Sequence, residues 1–200
     1  MNTTMQRSLI EQVANAVISH TDELTTLDQA IGDGDHGLNM KRGALAILER
    51  LDDLAAMPLP DALKAAGQML VMKVGGASGP LYGTLFMTLG KEMPTAPKQD
   101  DVTRALGAAI AAVKKIGRSD VGQKTMLDVL APVHEELAVD GPTLLARVRQ
   151  RGAAAAEATV PMRASKGRAS FLGERSIGHM DPGARSSSLM IAAVCTVLEE

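Results

Sequence analysis

Asp28-Gln29-Ala30-Ile31-Gly32-Asp33-Gly34-Asp35-His36-Gly37-Leu38-Asn39 joins two helical patterns through an acidic, glycine-bearing turn. Upstream, Val13, Val17, Leu24, Leu27 and Ile31 recur at helical spacing. Gly32 and Gly34 break that run, and Leu38, Leu45, Leu48, Leu51 and Leu54 resume it beyond the turn. The stretch therefore predicts helix, turn, helix, with Asp33 and Asp35 free to face Asp28. Three converging carboxylates repel one another, and a hard divalent cation, Mg²⁺ first, relieves that repulsion. A plain polar turn is the rival reading. An EF-hand calcium loop is excluded, because Leu38 and Ala44 stand where its glycine and closing glutamate belong. Gly32 to Gly37 also fits a dinucleotide glycine pattern, but no strand precedes it, and bare aspartates repel a pyrophosphate.

Outward from this turn, every strong pattern is helical. The first helix spans about Thr4 to Ile31, with a weak point at His20-Thr21. The second ends before Met57-Pro58-Leu59-Pro60. A third carries Leu63, Gly67, Leu70 and Val74, and a fourth opens at Pro80 with Leu81, Leu85 and Leu89. The fifth covers about 101–116. The sixth carries Met126, Leu130, Val133 and Leu137, the seventh covers about 143–159, and the eighth carries Leu189, Ala193 and Val197. No period-two run and no internal repeat is visible. The expectation is an all-α chain, one domain over 1–200, folded as an eight-helix antiparallel up-and-down bundle or barrel.

Composition narrows the function classes. Twenty-one basic against 23 acidic residues leave a net charge of −2, which argues against nucleic acid or an anionic membrane as main partner. A single cysteine, Cys195, sits in an apolar run, reads as buried packing and suits a reducing cytoplasm. The first residues lack a signal-peptide core, and no long uncharged apolar span follows.

Up-and-down order puts alternate connections at one end, and the unusual ones all share it: the aspartate turn, Gly75–Gly79, Gly117–Gly122 and 161–183. Gly76-Ala77-Ser78-Gly79-Pro80 leads into a helix whose first amides are free and whose dipole favours an anion. Ser78 is read as a cap or a phosphate ligand. It is not a Walker loop, for no Gly-Lys-Ser/Thr follows at the required spacing. His36 and Asn39 are read as phosphate contacts or local polar groups, Met126 as core or adenine lining. Segment 161–183 is too long for a connector, and its Lys166, Arg168 and Arg175 suit a lid over an anion.

Four motifs in order then carry a resemblance over essentially the whole chain. They are Asp28-x4-Asp33-Gly34-Asp35-His36-Gly37-x-Asn39, Gly75-Gly76-Ala77-Ser78-Gly79-Pro80-Leu81-Tyr82-Gly83-Thr84, Gly167-Arg168-Ala169-Ser170-Phe171-Leu172-Gly173-Glu174-Arg175-Ser176 and Ile177-Gly178-His179-Met180-Asp181-Pro182-Gly183-Ala184. Together they resemble the nucleotide-binding L subunits of dihydroxyacetone kinases. The resemblance implies an eight-helix barrel holding ADP or ATP at one end through two Mg²⁺ ions on Asp28, Asp33 and Asp35. It implies that His36, Gly37, Leu38, Asn39, Ala77 and Ser78 meet the phosphates, and that Gly117 and Met126 border the nucleoside. Arg168, Arg175, Asp181, Pro182 and Gly183 complete the site.

The implied reaction moves the terminal phosphoryl group to dihydroxyacetone held on a separate K subunit. An M-type phosphotransferase-system subunit then rephosphorylates the ADP. A kinase subunit for another small ketose or polyol is the alternative. A further alternative is a regulatory subunit whose nucleotide state governs docking to a transcription regulator. Homodimer formation is left open.

Overall fold

The computed structural model describes residues 2–199, and 10 α-helices and one 3₁₀ stretch make up their regular structure. No strand occurs among the described residues. Two of the eight expected helices are each broken into a pair, which accounts for the larger count. The first becomes α1 (Thr3–Ser19) and α2 (Thr21–Ile31). The break lies at His20, whose Nδ1 sits 2.7 Å from the Ala16 carbonyl and takes over an orphan helix end, while Thr21 Oγ1 donates to Ile18 O. The second becomes α3 (His36–Glu49) and α4 (Leu51–Ala56), parted at Arg50, whose amide bonds back three residues to Ile47.

The remaining rods are α5 (Leu59–Lys73), α6 (Ser78–Glu92), α7 (Gln99–Gly117), α8 (Leu127–Leu137), α9 (Leu144–Glu157) and α10 (Pro182–Glu199). Successive rods pack on one another, α3 on α5, then α5, α6, α7, α8, α9 and α10 in turn. Helix α10 packs back on α1, so the arrangement closes into a ring. Short connections between antiparallel neighbours produce this order without crossings.

Small and aliphatic side chains dominate the interior: Ala105, Ala109, Leu127 and Val129 are fully buried. With one tyrosine, two phenylalanines and no tryptophan, the chain has few bulky groups to fill the ring axis. An apolar cavity of about 390 Å³ remains there, lined by Val17, Met40, Leu70, Leu85, Val133 and Ile191 among others. Cys195 is buried, as expected.

The long segment after α9 is not shapeless. It contains a 3₁₀ stretch, Arg168–Ser176, kinked at Gly173. Ala164 and Ala169 bury themselves against Ile31 at the end of α2, with Leu172 alongside, so a small apolar contact seats this lid on the aspartate turn.

Candidate nucleotide and metal site

The aspartate turn is built from its backbone outward. Asp28, on the last turn of α2, is buried and accepts the amides of Asp35 (2.8 Å) and His36 (3.1 Å) on one carboxylate oxygen. That pair of bonds folds the chain back on itself. Gly34, at φ +75°, adopts the left-handed backbone this requires. A side chain at Gly32 would meet the other oxygen of Asp28 at 2.1 Å, so only glycine leaves that oxygen free.

Asp28, Asp33 and Asp35 thereby bring one ligand oxygen each within 4.8 Å of one another. Among the described residues one cation pairs with the three: Arg168 Nε lies 2.8 Å from Asp33 Oδ2. Three carboxylates against one guanidinium leave negative charge at a cavity wall. All-oxygen donors in that charge state fit Mg²⁺, which is commonly held by a few carboxylates together with substrate phosphates.

A cavity of about 170 Å³ lies beside the triad. Its walls come from Asp28, Asp33, Asp35 and His36, from Ala77 and Ser78 at the start of α6, from Met126, from Arg168 and from Asp181-Pro182-Gly183. Helix α6 has no side-chain cap, so its first amides stay open to an anion. Ser78 does not cap it. Its hydroxyl lies 3.0 Å from His36 Nδ1, and Ser186 Oγ lies 2.9 Å from Nε2 of the same ring. Burial holds His36 below its ordinary pKa, against the pull of Asp28 and Asp35, so the neutral ring is the form set between the two hydroxyls. Tyr82 extends the chain: its hydroxyl donates to Gly183 O (3.0 Å) and lies 2.7 Å from Ser186 and 2.9 Å from Ser187. Burial pushes the Tyr82 phenol up to about 12, and it remains protonated.

Not every expected residue reaches the cavity. Gly37 is packed against the α2 backbone, where an added Cβ would lie 2.1 Å from Thr21 O. Leu38 is 54% exposed and lines no wall. Asn39 is buried behind the loop, its amide against Gly75. Gly117 stands one layer back, beside the wall residue Leu81. Of the two lid arginines, Arg168 lines the cavity and Arg175 is exposed outside it. Lys166, read with the lid arginines, does line the cavity, and the residues the sequence reading missed are Tyr82, Lys124, Thr125 and Ser186. None carries a spacing signal, since each is placed by contacts between distant segments.

Asp181 has a testable titration. Burial raises its carboxyl to about 7, against the amide of Ala184 at 2.7 Å. The unfolded chain loses this proton near 3.8, so between 3.8 and about 7 only the folded state holds it. This contribution to stability is complete at low pH and is lost as pH rises through about 7. Nucleotide-free protein is expected to lose thermal stability relative to Asp181→Asn over that window, as read by paired melting curves. Parallel curves would show that Asp181 is ionised throughout.

Open helix amides and a carboxylate triad that wall one cavity, at one end of a helical ring, suit an anion such as a phosphate held with a divalent cation. Comparison with known proteins narrows that reading. The DAK2 domain family matches residues 30–196. The ADP-binding DhaL subunit of a PEP-dependent dihydroxyacetone kinase from Listeria innocua is 44% identical, over 86% of this chain and 84% of its own length. Its Escherichia coli counterpart is 38% identical over 91% of this chain and 90% of its own. The crystal structure of the C. freundii dihydroxyacetone kinase with AMP-PNP and Mg²⁺ superposes with a TM-score of 0.81 at 26% identity, covering 96% of this chain and 34% of that larger one. The chain belongs to the DAK2 domain family, alongside the DhaL subunits of dihydroxyacetone kinases.

No helix among the described residues is long and apolar enough to cross a membrane.

Proposed function

We propose that this chain is the ADP-binding subunit of a phosphoenolpyruvate-dependent dihydroxyacetone kinase. The observation that carries the reading is the cavity that sets Asp28, Asp33 and Asp35 opposite the uncapped start of α6. In this reading the three aspartates hold two Mg²⁺ ions, which supply charge neutralisation at the phosphates. The amides at Ala77 and Ser78 receive phosphate oxygens, and Met126 with Asp181-Pro182-Gly183 borders the nucleoside. Arg168 turns from Asp33 to the phosphate once the carboxylate has another countercharge. Phosphoryl transfer needs alignment and charge stabilisation more than covalent chemistry, so no general base is assigned among the triad. The acceptor hydroxyl belongs to dihydroxyacetone on a separate K subunit, and a phosphotransferase-system subunit returns a phosphoryl group to the ADP. The names of the two DhaL relatives and the near-complete overlap with them support this assignment.

Mass analysis of the nucleotide that copurifies with the protein, followed by its exchange against labelled ATP, tests the reading. Bound ADP that exchanges slowly supports it. Protein that neither retains nor binds adenine nucleotide in the presence of Mg²⁺ overturns it. Arg168→Ala removes one charge-assisted phosphate bond and is expected to speed ADP release by about 10-fold or more, measured by stopped-flow displacement.

A further inference from the structure

Lys124 is 1% exposed, at a turn with φ +63°, a backbone region that side chains other than glycine seldom adopt. Its ammonium is satisfied by carbonyls alone. It donates to Thr159 O at 2.7 Å, Val160 O at 3.4 Å, Met162 O at 3.1 Å and His179 O at 2.5 Å. The first three belong to the chain entering the lid and the fourth to the chain leaving it. Two further bonds close the same neck: the Gly178 amide donates to Val160 O at 2.9 Å, and the Asp181 amide donates to Thr159 Oγ1 at 3.0 Å.

The base beneath Lys124 is fixed. Asp128, in the first turn of α8, accepts the amides of Gly122 and Thr125, which flank the lysine turn. Burying an ammonium is costly, and here four backbone carbonyls offset that cost. What the charge obtains is a junction of two lid ends with the start of α8. The residues it ties together lead straight into cavity walls: Thr125 and Met126 on its own side, Lys166 to Ala169 in the lid, and Asp181 to Gly183 at the exit.

We propose that Lys124 is a positioning residue that staples the two ends of the lid. It thereby fixes where Arg168 and the Asp181–Gly183 turn stand over the cavity and sets how fast a bound nucleoside diphosphate leaves. The inference rests on the nucleotide reading above.

The probe is a fluorescent N-methylanthraniloyl ADP with Mg²⁺, tested first on the unmodified protein. Failure to bind there counts against the nucleotide reading and says nothing against Lys124. Given binding, Lys124→Met and Lys124→Gln are each expected to release the probe at least about 10-fold faster. In an Arg168→Ala background the same substitutions are expected to add clearly less than they do alone, since the part of their effect that runs through Arg168 is already gone. Release at the unmodified rate, or the same acceleration in both backgrounds, overturns the proposal. The second result is what a purely structural lysine gives.

Hydrogen exchange on the unmodified protein provides an arm that does not depend on a folded variant. The amides of Gly178 and Asp181 are expected to be protected without nucleotide, while amides in 166–172 gain protection only with it. Neck amides that exchange as fast as those of the lid would equally overturn the proposal.

Discussion

Asp33→Asn is expected to weaken Mg²⁺-dependent ADP binding by at least about 100-fold while leaving the nucleotide-free protein as stable as before. The substitution keeps the shape of the side chain and removes its charge. Asp33 is one of three carboxylates whose oxygens converge within 4.8 Å, and it is exposed at the turn. In the metal-free protein it stands in mutual repulsion with Asp28 and Asp35, balanced by a single exposed pair with Arg168. Losing that pair costs little and losing the repulsion offsets it. Under the proposed function the balance would reverse with Mg²⁺, because Asp33 would be one of the three residues holding it. Loss of a supporting residue around a metal commonly costs 10- to 100-fold, and a ligand itself stands at or above the top of that range. Titration calorimetry in Mg²⁺ and in chelator, beside a thermal melt without nucleotide, separates the two effects. Unchanged ADP content after long dialysis against chelator would contradict the assignment.

The helical ring was legible because apolar spacing and loop chemistry agree along the whole chain. Even the placement of the unusual connections at one end follows from up-and-down order. The aspartate triad was legible for a similar reason, since its three members lie within one turn and two glycines announce the reversal. What stayed hidden depends on partners far away in sequence. Lys124 reads as any surface lysine until Thr159 and His179 are folded around it. Tyr82 and Ser186 read as helix interior, yet they join the α6 start to the Gly183 turn. Gly37 and Leu38 are phosphate-site candidates through the resemblance alone; in the fold Gly37 packs against α2 and Leu38 is exposed, which sets a packing role against a phosphate contact.

Gly37→Ala tests that distinction and should have the largest effect on stability. A methyl group at Gly37 would lie 2.1 Å from Thr21 O, 2.3 Å from Thr25 Oγ1 and 2.7 Å from Thr25 N. Two of these atoms belong to the α2 backbone, which cannot turn aside as a flexible side chain can. Relief requires α2 to separate from α3, and Thr21 is buried at the hinge between α1 and α2. Overpacking of this kind costs about 3 kcal/mol. The same separation pulls Asp28, on α2, from the Asp35 and His36 amides that orient it, so ADP affinity is expected to fall together with the melting temperature. Gly152→Ala in α9 is the matched control. Its new methyl would touch Val133 and Ile191 at ordinary distances of 3.6 and 3.7 Å, and replacing a helical glycine there is expected to be neutral or to stabilise by up to about 1 kcal/mol. A Gly37→Ala protein that melts normally yet no longer holds ADP would return Gly37 to the phosphate site and show that the α2–α3 contact yields more easily than its backbone geometry allows.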